Sequence, residues 1–413
     1  MGVVSPIGIG CDDFWQGLLN GKSGVQVREQ LSESDSPLRI GAGVVDFDPK
    51  PFIKPRKALK IMCSPIQFGC AAATMAFEDA GFRKETQIDH IDPHRMGTLF
   101  GTETFFADPA EVARVFRSCT VADNYEHDRW GELAMRQIQP LWMLKYLPNM
   151  AASHISIALD ARGPSNSICQ GEASGLLALI EAADLIRRGA VDVVIAGGTG
   201  SQMALTAMLY RGTGSLSRRI HDPAGASRPF ELDRDGMVVG EGSGVVVLES
   251  EEHAAKRSVT PVARLAGWSR GFRKPDNNEL PDAFKNSINE AIQTAGIDTG
   301  NIGLVSANAS GSVEHDSAEA KGIRDALGDV PVVAHKSNFG NLGPGTSIVE
   351  MVGALLAMQR KQIPPTVNYD KPDPECPVNV SAQTRPFEGS AIVKTSRSET
   401  GQVVTVVLEK VSP

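Results

Sequence analysis

The stretch NSICQGEASGLLAL at residues 166–179 contains a cysteine, a run of small residues and the start of an apolar helical pattern. This order predicts a β-strand, a tight turn and an α-helix, and enzymes often carry a nucleophile on such a turn. Cys169 is one candidate for that nucleophile. The assignment depends on which residue occupies the tip of the turn.

Strand and helix patterns alternate on both sides of this stretch. The runs VDVVIAGG at 191–198 and IGLVSANA at 302–309 are continuously apolar, which is typical of buried parallel strands. Apolar residues recur with helical spacing at 172–189, 283–296 and 345–362. The pattern predicts an α/β protein of stacked layers, with a candidate boundary in the polar segment 250–262.

The composition narrows the classes of function. The net charge is -8 and no basic stripe is visible, which argues against nucleic acid or an anionic membrane as a partner. No secretory signal and no apolar run near 18 residues is found, so no membrane span is predicted. The six cysteines are scattered, without a CxxC pair or a metal-like grouping with histidines. We expect a cytoplasmic protein without metal or cofactor.

Five stretches together resemble the β-ketoacyl-acyl carrier protein synthases of the thiolase fold. They are MGVVSPIGIGCDDFWQGLLNGKSGV at 1–25, PNMAASHISI at 148–157, GPSNSI at 163–168, RPFELDRDGMVVGEGSGVVVLE at 228–249 and KSNFGN at 336–341. The resemblance covers nearly the whole chain, and the match at 228–249 is long and specific.

The resemblance implies an organisation for the whole chain. It implies two related βαβαβ halves, stacked as α/β/α/β/α layers, which we place at 1–255 and 256–413. A helical layer at about 103–147 is inserted in the first half. Because Met1 begins inside the family's first motif, the usual first strand is expected to be short or absent: the start is truncated or that strand is supplied differently.

The resemblance also fixes the register of the opening stretch. In these synthases the reactive cysteine lies nine residues after the glycine of a GP pair and three before the glycine that opens a buried helix. Counting from Gly163 gives Glu172, with Gly175 in its expected place, whereas Cys169 is three residues too early and is expected to be a small core residue in a buried strand. A carboxylate attacking a thioester would form a less stable anhydride, so we expect no acyl transfer at Glu172. The positive end of the helix would keep its carboxylate ionised.

Two catalytic histidines of the synthases are replaced here as well. Asp316 and Glu319 align the motif ANASGSVEHDSAEA so that Asn308 takes the first histidine position. The motif KSNFGN places Asn341 at the second. Both histidines, which stabilise the enolate and the oxyanion in the family, are therefore asparagine in this chain.

Two nearby histidines and the C-terminal gate complete the comparison. His315 and His335 are out of register with the catalytic positions and are expected to be structural or surface residues. In the synthases, a glycine-rich loop carries a phenylalanine that gates the active site. The matching stretch, SRSETGQ at 396–402, has Glu399 near that position, so the flexible gate is missing.

The loss of nucleophile, histidines and gate on a retained scaffold resembles the chain-length factor, the β subunit of the ketosynthase in type II polyketide synthases. Such subunits usually have glutamine at the turn, where this chain has Glu172. The resemblance implies a heterodimer with a catalytic ketosynthase and an acyl carrier protein that binds mainly through the partner. The main alternative is a malonyl-carrier decarboxylase, although that type keeps both histidines. A synthase that uses Cys169 and another non-catalytic thiolase-fold role are further alternatives.

In the family, residues of the silent subunit close the far end of the tunnel in which the chain grows. The segment 101–116 is our candidate for this closure, with Phe105 or Phe106 facing Val112 and Phe116. Met203 and Met237 are the next candidates. The alternative is that the aromatic residues of 103–147 only fill the core.

Overall fold

The computed structural model describes residues 1–31, 37–82, 91–105, 107–207, 211–272 and 279–411. In this part of the chain, two six-stranded sheets dominate. The first sheet contains β1 (Gly2–Ser5), β2 (Gly8–Ile9), β3 (Met96–Gly101), β4 (Ser165–Ile168), β5 (Val193–Ser201) and β6 (Glu241–Glu249). The second sheet contains β7 (Ala263–Phe272), β8 (Ile302–Ser306), β9 (Pro331–Val333), β10 (Asn379–Val380), β11 (Ala391–Arg397) and β12 (Gln402–Lys410).

Five strands of each sheet follow the same topology, and β2 and β10 are additional strands at opposite ends. The strand order is β2-β1-β6-β5-β3-β4 in the first sheet and β7-β12-β11-β8-β9-β10 in the second. In the first, β6 is antiparallel to β1 and β5, while β3 is parallel to β5 and β4. In the second, β12 is antiparallel to β7 and β11, while β8 is parallel to β11 and β9. The two halves are therefore related, as the sequence resemblance implies.

Helices cover both sheets and separate them. The helices are α1 (Cys11–Leu19), α2 (Ser64–Asp79), α3 (Pro109–Ser118), α4 (Trp130–Gln137), α5 (Met150–Leu159), α6 (Ser174–Arg187), α7 (Glu251–Lys256), α8 (Leu280–Ala295), α9 (Val313–Leu327), α10 (Lys336–Phe339) and α11 (Thr346–Arg360). Both α6 and α11 contact strands of the two sheets, α2 and α5 pack on the first sheet, and α8 packs on the second. The layers are α/β/α/β/α, which confirms the predicted thiolase fold.

The central layer explains why the helical pattern is so apolar. Helix α11 buries every residue from Thr346 to Met358, and a helix that is apolar on all sides is stable only in the interior.

Strand β1 is present but has only four residues, and it pairs with β6. Within the described ranges, no helix combines the length and apolar composition that a membrane crossing needs.

The topology brings the ends of six strands together. In open α/β sheets, ligands bind beyond the carboxyl ends of parallel strands. The residues that follow β3, β4 and β5 in the first half therefore face those that follow β8, β9 and β11 in the second. The candidate residues from the sequence belong to these segments.

Candidate functional site

The turn at residues 169–174, which we call the elbow, connects β4 to α6. Gly171 has a φ of +56°, in the left-handed region that glycine adopts without strain. The Ser174 hydroxyl closes the turn, because it accepts a hydrogen bond from the Gln170 amide (2.7 Å) and donates one to the Gly171 carbonyl (2.6 Å). Glu172 follows the glycine and lies two residues before α6. The structure thus places Glu172 at the tip of the elbow.

Glu172 is buried, with 7% of its surface exposed, and its carboxylate is bound by Asn341. Asn341 Nδ2 donates to Glu172 Oε1 over 2.8 Å and lies 3.3 Å from the sulfur of Met237. The Asn341 side-chain oxygen accepts from the Gly343 amide (2.9 Å) and the Thr346 hydroxyl (3.2 Å). The amide of Asn341 is therefore fixed in one orientation, with its donor group directed at Glu172.

Asn308 reaches the same site from the end of β8. The predicted strand 302–309 ends earlier, at Ser306, because the amides of Asn308 and Ala309 donate to the Glu319 carboxylate at 2.8 and 2.7 Å instead of extending the sheet. The Asn308 side-chain oxygen accepts from the Arg397 amide at 3.3 Å. Asn308 thus lies two residues beyond β8, whereas Asn341 lies two residues beyond α10, which follows β9.

A buried ion cluster lies beneath Asn308. Lys336 Nζ donates to the Asn308 carbonyl and to Glu350 Oε1, the latter at 3.0 Å. Lys394 Nζ donates to Glu350 Oε2 at 2.7 Å and to the carbonyls of Ser306 and Ala307 at 3.3 and 3.2 Å. One carboxylate therefore holds two buried ammonium groups, and the cluster anchors the end of β8.

Arg397, at the end of β11, brings a positive charge to Glu172. Its side chain is buried; burial lowers the pKa of Arg397, and the nearby Glu172 carboxylate counteracts that effect. His315 Nδ1 lies 3.3 Å from Arg397 Nη1, and burial together with Arg397 lowers the pKa of His315 to about 4. His315 is therefore neutral at pH 7. Partial desolvation and the charge of Glu172 raise the pKa of Glu399, although that residue is itself largely exposed.

Glu103 adds a second carboxylate at the end of β3. Its oxygens accept from the Ser201 amide (3.2 Å) and from Gln202 Nε2 (2.8 Å), and Arg211 lies 3.5 Å away. Burial raises the pKa of Glu103 to about 7, against the lowering effects of Arg211 and the two hydrogen bonds. The charge of Glu172 contributes to this increase. The elbow is thus surrounded by opposed carboxylate and guanidinium groups.

The prediction for Cys169 was wrong in one respect. The cysteine lies outside the elbow tip, as the register required, but it is exposed rather than buried. The reason is that β4 is the edge strand of the first sheet and pairs only with β3 in the described chain. The Cys169 sulfur lies 3.5 Å from the Thr102 hydroxyl. By contrast, His335 is fully buried, and burial lowers its pKa to about 3.

A cavity of about 860 Å³ lies next to this site. Ser201 lines the cavity while its amide binds Glu103, so the cavity begins beside the elbow. Further lining residues come from the start of α2, the start of α3 and the segment after β5; they include Met62, Cys63, Ser64, Phe105, Glu111, Lys145, Tyr146, Met203 and Leu205. The walls are both apolar and polar.

The six predicted tunnel residues fall in different places. Phe105 and Met203 line the cavity. Phe116 is 48% exposed and packs on Trp130 and Tyr125, on the far side of α3. The remaining three are Val112, half-buried on α3, Met237, which is beside Asn341, and Phe106, which lies outside the described residues. The cavity therefore brings together only part of the predicted set.

Sequence reasoning missed Glu103, Arg397 and Gln202. A signal for them was present, because each follows or ends a strand of the duplicated topology. Glu103 follows β3 as Asn308 follows β8, and Gln202 follows β5 where Arg397 ends β11. If equivalent strands of the two halves had been aligned in the sequence, all three residues would have been assigned to the site.

The fold and site define a class of protein: a thiolase-fold scaffold with a buried carboxylate, Glu172, in the turn between β4 and α6. The chain belongs to the β-ketoacyl synthase family. Two family models match the chain: "Beta-ketoacyl synthase, N-terminal domain" at residues 1–254 and "Beta-ketoacyl synthase, C-terminal domain" at residues 266–370.

Similar proteins include 3-oxoacyl-[acyl-carrier-protein] synthases and polyketide ketosynthases. The 3-oxoacyl-[acyl-carrier-protein] synthase 2 of Coxiella burnetii is 31% identical over all of this chain and 97% of its own length. A solved type II PKS acyl-carrier protein in complex with its ketosynthase bound to the hexaketide is 28% identical, with a TM-score of 0.84 over the whole chain and 98% of that structure. The ishigamide ketosynthase/chain length factor has the same TM-score and coverage at 24% identity.

Proposed function

We propose that the chain is a non-catalytic ketosynthase-like subunit, a chain-length factor, that pairs with a catalytic ketosynthase in a type II polyketide synthase. The observation that carries the proposal is the elbow itself. A buried glutamate stands at the nucleophile position, and Asn341 donates a hydrogen bond to it. The site has the shape of a condensing enzyme without a thiolate that could accept an acyl group.

The surroundings of Glu172 support this loss of chemistry. Condensation requires hydrogen-bond donors directed at a developing oxyanion. Here the donor of Asn341 is directed at Glu172, and Arg397 provides a nearby counter-charge. The Asn341 donor is engaged by Glu172, so it is not free to bind a substrate thioester.

The edge of the first sheet supports a partner subunit. Within the described residues, the outer edge of β4 pairs with no other strand, and such an edge is a template for another strand. Beside it, α5 exposes Ile157, whose surface is 76% accessible. A catalytic ketosynthase of similar size would cover this edge through an obligate interface of more than about 2,000 Å². The acyl carrier protein then binds mainly through that partner, which holds the reactive cysteine.

The cavity supports a role in shaping the product. It is an open pocket of about 860 Å³, a size typical of clefts that bind small molecules. Phe105 and Met203 provide apolar surface in its wall. We propose that they contribute to the closed end of the polyketide tunnel, whereas Phe116 lies on the far side of α3 and has a structural role.

Assembly is the first test of this proposal. The chain is to be coexpressed with the intact ketosynthase of its own gene neighbourhood, and the complex measured by light scattering. We expect a heterodimer that the Ile157→Glu variant weakens. Phe272→Glu is the matched control, because Phe272 is similarly exposed but lies at the end of β7 in the second sheet. A stable homodimer that ignores every such ketosynthase contradicts the proposal.

Malonyl-carrier decarboxylation is the alternative activity that the same experiment can examine. The isolated chain is incubated with malonyl-loaded carrier protein, and released carbon dioxide is measured. We expect release no faster than in buffer. Rapid release that is abolished by Glu172→Ala would favour the decarboxylase.

A further inference from the structure

One carboxylate in the cavity wall binds three side chains of a single short segment. Glu111 accepts hydrogen bonds from Trp142 Nε1 (2.7 Å), Lys145 Nζ (2.7 Å) and Tyr146 OH (2.9 Å). The rings of Trp142 and Tyr146 also pack edge to face, with centroids 5.4 Å apart. We call these four residues the Glu111 latch. It fastens the segment 142–146 to α3.

The latch forms part of the cavity wall. Glu111, Lys145 and Tyr146 all line the cavity, as does Cys63. Glu111 lies in the first turn of α3, where the Asp108 side chain caps the helix. The N-terminus of a helix favours a negative charge, and the hydrogen bonds from Trp142, Lys145 and Tyr146 orient the carboxylate. Its three donors are then held at fixed positions too.

The latch joins three donors to one ionised acceptor. Hydrogen bonds to an ionised acceptor are roughly twice as strong as neutral ones. Although burial acts to raise it, the pKa of Glu111 is lowered by Lys145, Tyr146 and Trp142, so the carboxylate is ionised at neutral pH. Burial and Glu111 raise the pKa of Tyr146, which keeps its phenol protonated as a donor.

We propose that the Glu111 latch determines specificity: by fixing the segment 142–146 against α3, it sets the space that the cavity offers to the growing chain. The inference rests on the proposed function and adds to it that a polar contact, together with the bulk of Phe105, defines the wall. When the latch is broken, the wall can move outward and the cavity accepts a longer chain.

A labelling experiment tests the latch independently of any polyketide activity. Cys63 lines the cavity and burial raises its pKa to about 12, so it reacts slowly with N-ethylmaleimide, whereas Cys169 is exposed and provides an internal reference. Modification of both cysteines in the full-length chain is followed by mass spectrometry. We expect Glu111→Ala to speed modification of Cys63, relative to Cys169, by about tenfold, equal to about 1.4 kcal/mol.

Matched variants separate the latch from general destabilisation. Glu111→Gln retains an acceptor and should give a smaller increase, and Lys145→Met provides a second way to weaken the latch if Glu111→Ala does not fold. Glu132→Ala is the control, because Glu132 forms an exposed ion pair with Arg136 on α4 and is not a wall residue of the cavity. Equal Cys63 labelling in wild type, Glu111→Ala and Lys145→Met would overturn the proposal.

Product analysis then tests specificity in the assembled complex. We expect Glu111→Ala and Lys145→Met to lengthen the product by at least one two-carbon unit, while Glu132→Ala leaves it unchanged. Faster Cys63 labelling with unchanged product length would refute the specificity role. If the wild-type complex makes no polyketide while Cys63 labelling responds as expected, the proposed function fails and the latch remains.

Discussion

The elbow and the adjacent cavity are built from the same strand ends, yet they are filled in opposite ways. At the elbow, Glu172 is buried and bound by Asn341, with Arg397 nearby. Beside it, a space of about 860 Å³ is lined by residues such as Phe105 and Met203. The difference lies in the side chains: at the elbow, Asn341 and Glu172 bind one another, whereas beside it apolar and polar residues leave an open space.

The largest effect on stability and product length is expected from a substitution in the cavity wall. Phe105 is buried in the core of the first half while also lining the cavity. Phe105→Ala is expected to lower the free energy of unfolding by about 3 to 5 kcal/mol in the isolated chain. In the complex it should lengthen the product by one or more two-carbon units. Chemical denaturation and product mass spectrometry provide the two measurements.

Phe116→Ala is the matched control for that comparison. Its ring packs on Tyr125 and Trp130 at a largely exposed position, so truncation should lower the free energy of unfolding by less than about 1.5 kcal/mol. Product length should not change. A longer product from Phe116→Ala, with native length from Phe105→Ala, would place the tunnel on the other face of α3.

Glu103, near the elbow, should make the free energy of unfolding depend on pH. Its pKa is raised from 4.5 to about 7 in the folded chain, so the folded state binds more protons than the unfolded state between these values. Stability should therefore fall as pH rises through this window, by about 3 kcal/mol from this group. Glu103→Gln should remove that loss. Urea unfolding of both proteins from pH 4 to 8 measures the difference, and parallel pH profiles would show that Glu103 is not the cause.

Asn341 has a smaller effect at the same site. Asn341→Ala leaves the buried Glu172 carboxylate without its donor, which should lower the free energy of unfolding by about 1 to 3 kcal/mol. Asn341→Asp places a second carboxylate against Glu172, and because like charges repel, the loss should be larger than for Asn341→Ala. If both variants are as stable as wild type in urea at pH 7, the hydrogen bond contributes little.

The sequence predicted the layers because buried strands and central helices have distinct apolar patterns, as in α11. Aligned motifs also selected Glu172, Asn308 and Asn341; in the structure Asn341 binds Glu172, and Asn308 binds the backbone of Arg397 near them. The exposure of individual side chains could not be predicted from apolar patterns or aligned motifs. The edge position of β4, which exposes Cys169, depends on strand order, and the outward direction of Phe116 depends on how α3 packs. The Glu111 latch likewise joins residues more than 30 positions apart.

The most direct test of the account asks where the chemistry of the complex resides. The heterodimer is supplied with malonyl-loaded carrier protein, and polyketide formation is compared for two variants, Glu172→Gln in this chain and alanine at the reactive cysteine of the catalytic partner. Glu172→Gln keeps an acceptor for Asn341, so the site should remain folded. The account predicts a rate close to wild type for Glu172→Gln and no product for the partner variant. A fall of about a hundredfold or more with Glu172→Gln, the size expected when a catalytic group is removed, would contradict it.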